Sequence, residues 1–450
     1  MKRQSCAALV ALAGLASTCI AGGSRTVLDV APLPGLAGSP SWVLMPEFIN
    51  TRGDVAGQAA PGHYHAARWT ASGGLEDLHP GAGVNASWVK GMNDMGAVVG
   101  DACIPPPGGN GACGVYLFRN TPGIGSEQID LSQSGVRGEG SVWPMKINNK
   151  GTVALGFWTS VMQGGGRHAM LYSDTLGWMN VGDALPPGEI DDTMLLDLNN
   201  AEQVLVRAGW NRPTYRWSPG AEPVMIIDLP LHAASDLNDA GQVAGGAEFA
   251  AGYGAFRYRD GAGVEMLDPS GAFADSHGHY INEAGMVAGT WEGGLFIFTD
   301  DGGMQDLGVD GFVAIKGFND RGDLTIQKHD PHTYEGKPML KLFGEPAVEL
   351  QDFIDPERDE FIVSHVSPIN DRRQFAVSGT RAVAPFEQVA FLVQARCAAD
   401  YDADGIAGVP DIFAFLADWF GAGTKADVNR DAELDVADIF AFLSAWFAGC

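Results

Sequence analysis

Short apolar stretches along the chain are interrupted at intervals by one recurring polar pattern. It consists of an apolar residue and Asn, a Gly three positions later, then Val and a second Gly at alternate positions, as in INEAGMVAG at 281–289. Two copies, at 198–206 and 369–377, lack the first Gly. Recurrence every 37 to 55 residues predicts a repeat architecture. The eight repeated asparagines are Asn50, Asn93, Asn148, Asn199, Asn238, Asn282, Asn319 and Asn370.

Each copy of the pattern predicts a β-hairpin. Asn at the first turn position can hydrogen-bond to nearby backbone, and Gly at the fourth position accepts a positive φ. The alternating apolar residues on both sides indicate two strands. A third strand follows, such as GAFRY at 254–258, and then a short strand ending in Asp-Leu, such as IIDL at 226–229. Four strands in about 40 to 45 residues are typical of one β-propeller blade.

The two ends of the repeat region predict how the ring closes. The eighth repeat stops after its third strand, VAFLVQA at 389–395, and TVLDV at 26–30 resembles the missing fourth strand. We therefore predict a mainly β, eight-repeat β-propeller over residues 22–395, whose last blade is completed by the N-terminal strand. Closure of this kind removes exposed sheet edges. A β-solenoid or two packed sheets are the alternatives, although a solenoid would not need a split repeat.

The repeats resemble the extracellular HAF repeat family, which is named for a His-Ala-Phe in the third strand. RHAMLY at 167–172 matches that strand most closely, and HAARW at 65–69 keeps the His and the Ala. The resemblance covers about residues 26–395. It implies an extracellular repeat protein, and no single activity belongs to that family as a whole.

The N-terminal residues predict export. Lys2 and Arg3 precede an apolar stretch at 7–16 and then small residues, which is typical of a secretory signal peptide over 1–21. A lipoprotein signal at Cys19 is the weaker alternative. We expect a secreted protein that is extracellular or held at the cell surface.

Cysteine usage and charge agree with this location. Two cysteines lie in the signal, and an even number in the exported part predicts two disulfides, with free thiols as the alternative. The expected pairs are Cys103 with Cys113 and Cys397 with Cys450. With 55 acidic and 28 basic residues the net charge is −27, which disfavours nucleic-acid partners and favours cations. No later apolar run reaches membrane-spanning length, so we expect no membrane span.

Two acidic stretches near the C-terminus predict a calcium site each. DYDADGIAGVPD at 400–411 has Asp at positions 1, 3, 5 and 12 and Gly at 6, as EF-hand-type loops require. DVNRDAELDVAD at 427–438 repeats it with Ala432 at position 6, and nearly identical helices follow at 411–420 and 438–447. The predicted ligands of two Ca²⁺ ions are Asp400, Asp402, Asp404, the carbonyl of Ile406 and Asp411, then Asp427, Asn429, Asp431, the carbonyl of Glu433, Asp435 and Asp438.

The duplicated loops, each followed by one helix, look like a dockerin module over 396–450. The chain end in Gly-Cys and the bracketing cysteines resemble the GC-type dockerin of planctomycete-like bacteria. The resemblance implies calcium-dependent docking onto a cohesin-like or other surface anchoring protein. Cellulosomal dockerins usually carry Ser or Thr at loop positions 10 and 11. This chain has Val409, Pro410, Val436 and Ala437 there, which argues against a cellulosomal cohesin.

The two C-terminal helices have apolar residues on more than one side. One face of each predicts packing between the helices, and its residues are Ile412, Phe415, Leu416 and Trp419, then Ile439, Phe442, Leu443 and Trp446. We expect four further phenylalanines to form an exposed patch for a partner, and these are Phe413, Phe420, Phe440 and Phe447.

Catalytic motifs are weak in this sequence. It contains neither G-x-S-x-G nor H-E-x-x-H. Three short histidine groups, at 63–65, 277–279 and 329–332, are interpreted as surface-loop residues, although two of them could place imidazoles on one strand face. We predict a non-catalytic propeller that binds a glycan or protein and is anchored by its calcium module. The alternative is an anchored glycoside hydrolase or polysaccharide lyase, which an acidic or histidine cluster confined to one repeat would favour.

Overall fold

The computed structural model describes most of the chain. The described residues are 16–19, 26–33, 43–60, 64–81, 83–104, 114–131, 134, 142–159, 166–187, 192–209, 212–229, 231–330, 332, 335–353, 361–381, 387–397, 399–402, 406–428 and 433–448. They form eight separate antiparallel sheets followed by two helices.

Seven sheets each consist of four strands that are consecutive in the chain. After β1 (Ala16–Cys19) and β2 (Thr26–Pro32), blades 1 to 4 are β3–β6 (Val43–Ile49, Val55–Ala60, His65–Thr70, Gly74–Asp77), β7–β10 (Ala86–Met92, Val98–Ile104, Gly114–Thr121, Gly125–Ile129), β11–β14 (Val142–Ile147, Val153–Thr159, Gly166–Ser173, Gly177–Asn180) and β15–β18 (Thr193–Leu198, Val204–Ala208, Thr214–Trp217, Val224–Ile227). Blades 5 to 7 are β19–β22 (Ala233–Leu237, Val243–Phe249, Gly252–Arg259, Gly263–Met266), β23–β26 (His277–Ile281, Val287–Trp291, Gly294–Thr299, Gly303–Asp306) and β27–β30 (Phe312–Phe318, Leu324–His329, Gly336–Lys341, Val348–Glu349).

The eighth blade joins the two ends of the ring. Its strands β31 (Phe361–Val366), β32 (Gln374–Arg381) and β33 (Gln388–Cys397) are completed by β2, which runs antiparallel to β33. The predicted eight-bladed propeller with a split last blade is therefore confirmed, and the solenoid alternative is wrong. Strand β1 adds a fifth strand beyond β2. It lies within the predicted signal peptide, and without it this blade has four strands like the others.

The repeated asparagines form a closed ring of hydrogen bonds. Each Asn Nδ2 donates to the backbone carbonyl of the next repeated Asn, at 2.8 to 3.4 Å, and Asn370 completes the circle by donating to Asn50. Each Oδ1 accepts the backbone N–H four residues later within its own turn. All eight side chains are buried. They satisfy backbone groups where water does not reach, which buried polar backbone requires.

The two glycines of the repeat are required for different structural reasons. The first has a positive φ, for example 77° at Gly285. The degenerate copies keep this conformation without glycine, with φ of 63° at Glu202 and 61° at Arg373. The second glycine lies where strands approach closely, because a Cβ on Gly289 would lie 2.0 Å from the carbonyl oxygen of His277. Only glycine fits such an approach.

The hydrophobic core lies between neighbouring blades. One cluster packs Leu171 of blade 3 against Val206 of blade 4, and another packs Ala56 of blade 1 against Val89 of blade 2. First strands of adjacent blades also contact each other, as β7 and β11 do, which places them innermost around the ring's axis. The repeated asparagines, which directly follow these strands in blades 1 to 7, therefore form their ring around this axis.

The helices follow the propeller and are α1 (Val409–Phe420) and α2 (Val436–Ala448). Both begin two residues before the predicted spans. No helix in the described part of the chain has the length and apolar character that crossing a membrane requires.

Candidate functional site

The first acidic loop brings three of its predicted ligands together. One carboxylate oxygen from each of Asp400, Asp402 and Asp411 lies within 4.8 Å of the others. Asp411 is 1% exposed and ties the loop to the start of α1, because its Oδ1 accepts from the Asp402 N–H at 3.0 Å and its Oδ2 from the Gly408 N–H at 2.7 Å. Three clustered acids, two of them buried, can hold a metal ion. Hard oxygen ligands of this kind suit Ca²⁺ or Mg²⁺.

The second loop repeats one feature of the first. Its position-12 acid, Asp438, is fully buried and its Oδ2 accepts from the Asp435 N–H at 2.9 Å. The same bond between positions 9 and 12 joins Gly408 to Asp411. Among the described residues this loop shows no comparable group of three acids. Of the other predicted ligands, Ile406, Asp427 and Glu433 are described, whereas Asp404, Asn429 and Asp431 lie outside the described residues.

Aromatic side chains hold the two helices together. Phe415 and Phe442 stack with ring centroids 4.4 Å apart, and Tyr401 meets both edge-on at 5.6 and 5.9 Å. Around them pack the residues predicted for the helix interface, namely Ile412, Leu416, Trp419, Ile439, Leu443 and Trp446. The predicted packing faces are confirmed.

Two tryptophans link each helix to the opposite loop. Trp419 Nε1 of α1 donates to the Asp435 carbonyl at 3.1 Å, and Trp446 Nε1 of α2 donates to the Gly408 carbonyl at 3.2 Å. Both carbonyls belong to position 9 of their loops. The two loop–helix halves therefore make equivalent bonds to each other, as approximate twofold symmetry requires. Each loop is thus held by the other half's helix.

The four phenylalanines predicted as a patch are all exposed. Phe413, Phe420, Phe440 and Phe447 are 68%, 77%, 68% and 78% accessible. Positions 413 and 420 share one side of α1, and 440 and 447 share the equivalent side of α2, because seven residues are close to two helical turns. Their role in binding a partner stays a prediction.

The cysteines are described only in part. Cys103 and Cys397 are disulfide-bonded. Cys113 and Cys450 lie outside the described residues, so both pairings stay predictions.

A polar arc inside the ring was not predicted. Two positions before the repeated Asn, four consecutive blades carry Lys146, Asp197, Asp236 and Tyr280, where the other blades carry Phe, Gly or Pro. Lys146 Nζ lies 2.5 Å from Asp197 Oδ1. Burial, together with the neighbouring Asp197, raises the pKa of Asp236 well above its usual range. Comparing equivalent positions between repeats would have revealed this arc in the sequence.

Two histidines occupy a different place from the one expected. His277 and His279 lie on the inner strand β23 with rings 4.8 Å apart, so their assignment to a surface loop is wrong. His277 Nε2 lies 2.7 Å from Ser235 Oγ and Nδ1 lies 2.9 Å from Tyr253 Oη. Burial, with a smaller contribution from His279, lowers the pKa of His277 to about 4. Both its nitrogens are engaged, which indicates a structural role.

Among the described residues, the other two histidine groups supply no set of three metal ligands, and His65 and His329 also lie on strands rather than in surface loops. His65 begins β5 and its Nδ1 lies 3.0 Å from Asp77, while its ring stacks on His79 at 3.9 Å. His329 ends β28 and His332 lies in the following turn, and His63 lies outside the described residues.

Several solved structures resemble this fold. An acylaminoacyl peptidase from Pyrococcus horikoshii is 11% identical with a TM-score of 0.44, over 76% of this chain and 58% of that one. Dipeptidyl peptidase 4 from Porphyromonas gingivalis is 9% identical with a TM-score of 0.46, over 79% and 56%. A streptogramin B lyase is 11% identical with a TM-score of 0.35, over 82% and 97%. The chain thus spans little more than half of either peptidase. Comparison with family models and with curated proteins finds no match.

Proposed function

We propose that this chain is a secreted, non-catalytic binding protein. Its propeller recognises a glycan or another protein, and its C-terminal loops and helices act as a calcium-dependent, dockerin-like anchor to a cohesin-like or other surface protein. The observation that carries the proposal is the acidic cluster of Asp400, Asp402 and Asp411 at the start of a helix pair with exposed phenylalanines.

Calcium would act on folding as well as on docking. Clustered carboxylates repel one another, and burying them is costly unless a cation compensates. Two bound ions, one for each loop, would therefore hold the loops in the shape that positions α1 and α2. The exposed phenylalanines would then present an apolar surface of the kind that partners bind.

Calcium binding is tested by calorimetry on the full chain. We expect about two sites, the number that the loops provide. Asp400→Asn with Asp427→Asn should abolish binding, whereas Asp301→Asn, an exposed turn residue of blade 6, should leave it unchanged. Limited proteolysis should cut within 406–448 in chelator and spare it in Ca²⁺. Equal protection in both conditions would contradict a calcium-organised module.

Docking is tested with the full chain on cell-envelope material of the source organism. Retention should require Ca²⁺ and should fall at least about tenfold in Phe413→Ser/Phe440→Ser, the range expected when interface anchors are lost. Phe312→Ser is the matched control, because Phe312 is 67% exposed on the propeller. Retention that survives both chelator and the double substitution would exclude the proposed anchor.

A further inference from the structure

A cavity of about 320 Å³ lies inside the ring, against the first strands of blades 1 to 4. Two lysines, Lys90 and Lys146, are the charged residues among the described side chains that line it. Their ammonium groups are the charged groups that this wall presents, in a chain whose net charge is −27. A ligand in the cavity therefore meets positively charged hydrogen-bond donors.

Each of the two lysines is paired with an aspartate, and the pair fixes the position of the ammonium group. Lys146 Nζ pairs with Asp197 Oδ1 at 2.5 Å, and Asp197 also accepts the Leu237 N–H at 3.0 Å. Lys90 Nζ lies 3.5 Å from Asp101 Oδ1. Neither aspartate lines the cavity. Because an ammonium has three N–H donors, each lysine keeps donors beyond the one that its aspartate accepts.

The other side chains that line the cavity are apolar. Phe48, Met92 and Met145 line it, and Gly91 supplies space where the neighbouring blades 1 and 3 carry Phe48 and Lys146. Methionine sulfur makes favourable contacts with aromatic rings and adapts to irregular shapes. The volume is at the low end of the about 300–1,000 Å³ of small-molecule sites, so the ligand is small.

An adjoining space limits the charge that a ligand can carry. A second cavity of about 240 Å³ shares Met92 with the first and is lined by Asp94, Asp239 and Glu283. Carboxylates there would repel a second negative group on a ligand.

We propose that the lysine-lined cavity binds a small monocarboxylate with an apolar, aromatic body, whose carboxylate accepts hydrogen bonds from Lys90 and Lys146. The apolar body lies against Phe48 and the two methionines. This site does not depend on the calcium module, and its failure would leave the proposed anchoring function intact.

The test uses the calcium-loaded full chain and three matched probes, with binding measured by calorimetry and ligand-observed NMR. We expect 3-phenylpropanoate to bind saturably and at least about tenfold more tightly than 3-phenylpropan-1-ol, which lacks the charge. Phenylsuccinate, which adds a second carboxylate, should also bind at least about tenfold more weakly. Equal binding of acid and alcohol, or no saturation by about 10 mM, would overturn the proposal.

Substitutions of the two lysines test whether the probe binds in this cavity. Lys90→Met should weaken 3-phenylpropanoate at least about tenfold and leave the alcohol unchanged. Lys146→Met is combined with Asp197→Asn, because removing the lysine alone would leave a buried charge unpaired. Lys150→Met is the control, since Lys150 pairs with Glu202 at the turn and does not line the cavity. Unchanged affinity in both cavity variants, with the melting temperature retained, would refute the site.

Discussion

Arg396 on β33 donates a hydrogen bond from Nε to Asp29 Oδ2 on β2, at 2.6 Å, across the seam where the N-terminal strand completes the ring. Both side chains are nearly buried, at 4% and 11% exposure. The Arg396 guanidinium also lies over the Tyr401 ring at 5.2 Å, and Lys425 Nζ lies 4.4 Å from the same ring. Tyr401 stands between Asp400 and Asp402, so the seam and the first acidic loop share one packed contact.

The seam should be sensitive to loss of this pair. Arg396→Met leaves the buried Asp29 carboxylate without its strongest partner, and we expect a loss of about 3–5 kcal/mol in the free energy of unfolding. Urea denaturation provides the measurement. Arg381→Met is the control, because its pair with Glu387 is exposed and should contribute less than about 1 kcal/mol. Equal effects of the two substitutions would show that the seam pair does not hold the ring closed.

The asparagine ring should be more important than its exposed neighbours. Asn282→Ala removes the donor to the Asn319 carbonyl and the acceptor for the Met286 N–H, and each unpaired buried group costs about 1–3 kcal/mol. Asn200→Ala removes an exposed bond from Nδ2 to Asp239 Oδ2 and a partly buried bond from the Asn149 N–H to Oδ1, and should cost about 1 kcal/mol, less than Asn282→Ala. Thermal unfolding of both variants distinguishes the sites. Comparable melting temperatures would contradict a structural role for the ring.

The two repeat glycines should respond differently to alanine. Gly289→Ala places a methyl group against the carbonyl of His277, so the strands must separate, and we expect a loss of at least about 3 kcal/mol. At Gly285 the φ is positive, and an alanine Cβ would lie 2.7 Å from Gln242 Oε1 and 3.4 Å from Arg257 Nη1. Both atoms are side-chain ends rather than backbone, so Gly285→Ala should cost about 1–2 kcal/mol. Chemical denaturation measures both. The prediction fails if Gly285→Ala is the more harmful change.

Acid should destabilise the fold through His277. Its pKa is about 4 in the folded chain and 6.5 ordinarily, so between these values the unfolded chain binds a proton that the folded chain does not. Stability therefore falls as the pH drops from 6.5 towards 4, by at most about 3 kcal/mol for this shift. His277→Gln should reduce the loss over this window, and the exposed His332→Gln should not. Melting temperatures recorded across the window provide the test, and parallel curves for all three proteins would exclude the effect.

Local patterns predicted much of the fold. The Asn and Gly turn residues and the alternating apolar positions indicated each hairpin, and the unmatched third strand at 389–395 indicated the split blade. Sequence patterns also placed both helices within two residues, because capping and helical periodicity act over a few neighbours. These features need no knowledge of distant parts of the chain.

Other features depend on residues that are far apart in sequence. The Asn370 bond to Asn50 spans 320 residues, and the Lys146 pair with Asp197 joins two blades. His277 and His279 of β23 illustrate the same limit. A short polar group in the sequence predicts a loop, and only the packed ring shows that these residues lie on an inner strand. Comparing equivalent repeat positions would have identified the residues of the polar arc, but not the ion pair between Lys146 and Asp197.

The sequence by itself determined the repeat, the strands of each blade, the closing strand and the acidic loops with their helices, because turn chemistry and hydrophobic period are local. Only the tertiary structure decided which side chains surround the ring's axis. It also decided that Trp419 and Trp446 each bond to the acidic loop of the other half. A ring brings every inner strand to one centre, so the contacts there depend on how eight sheets pack rather than on any single segment.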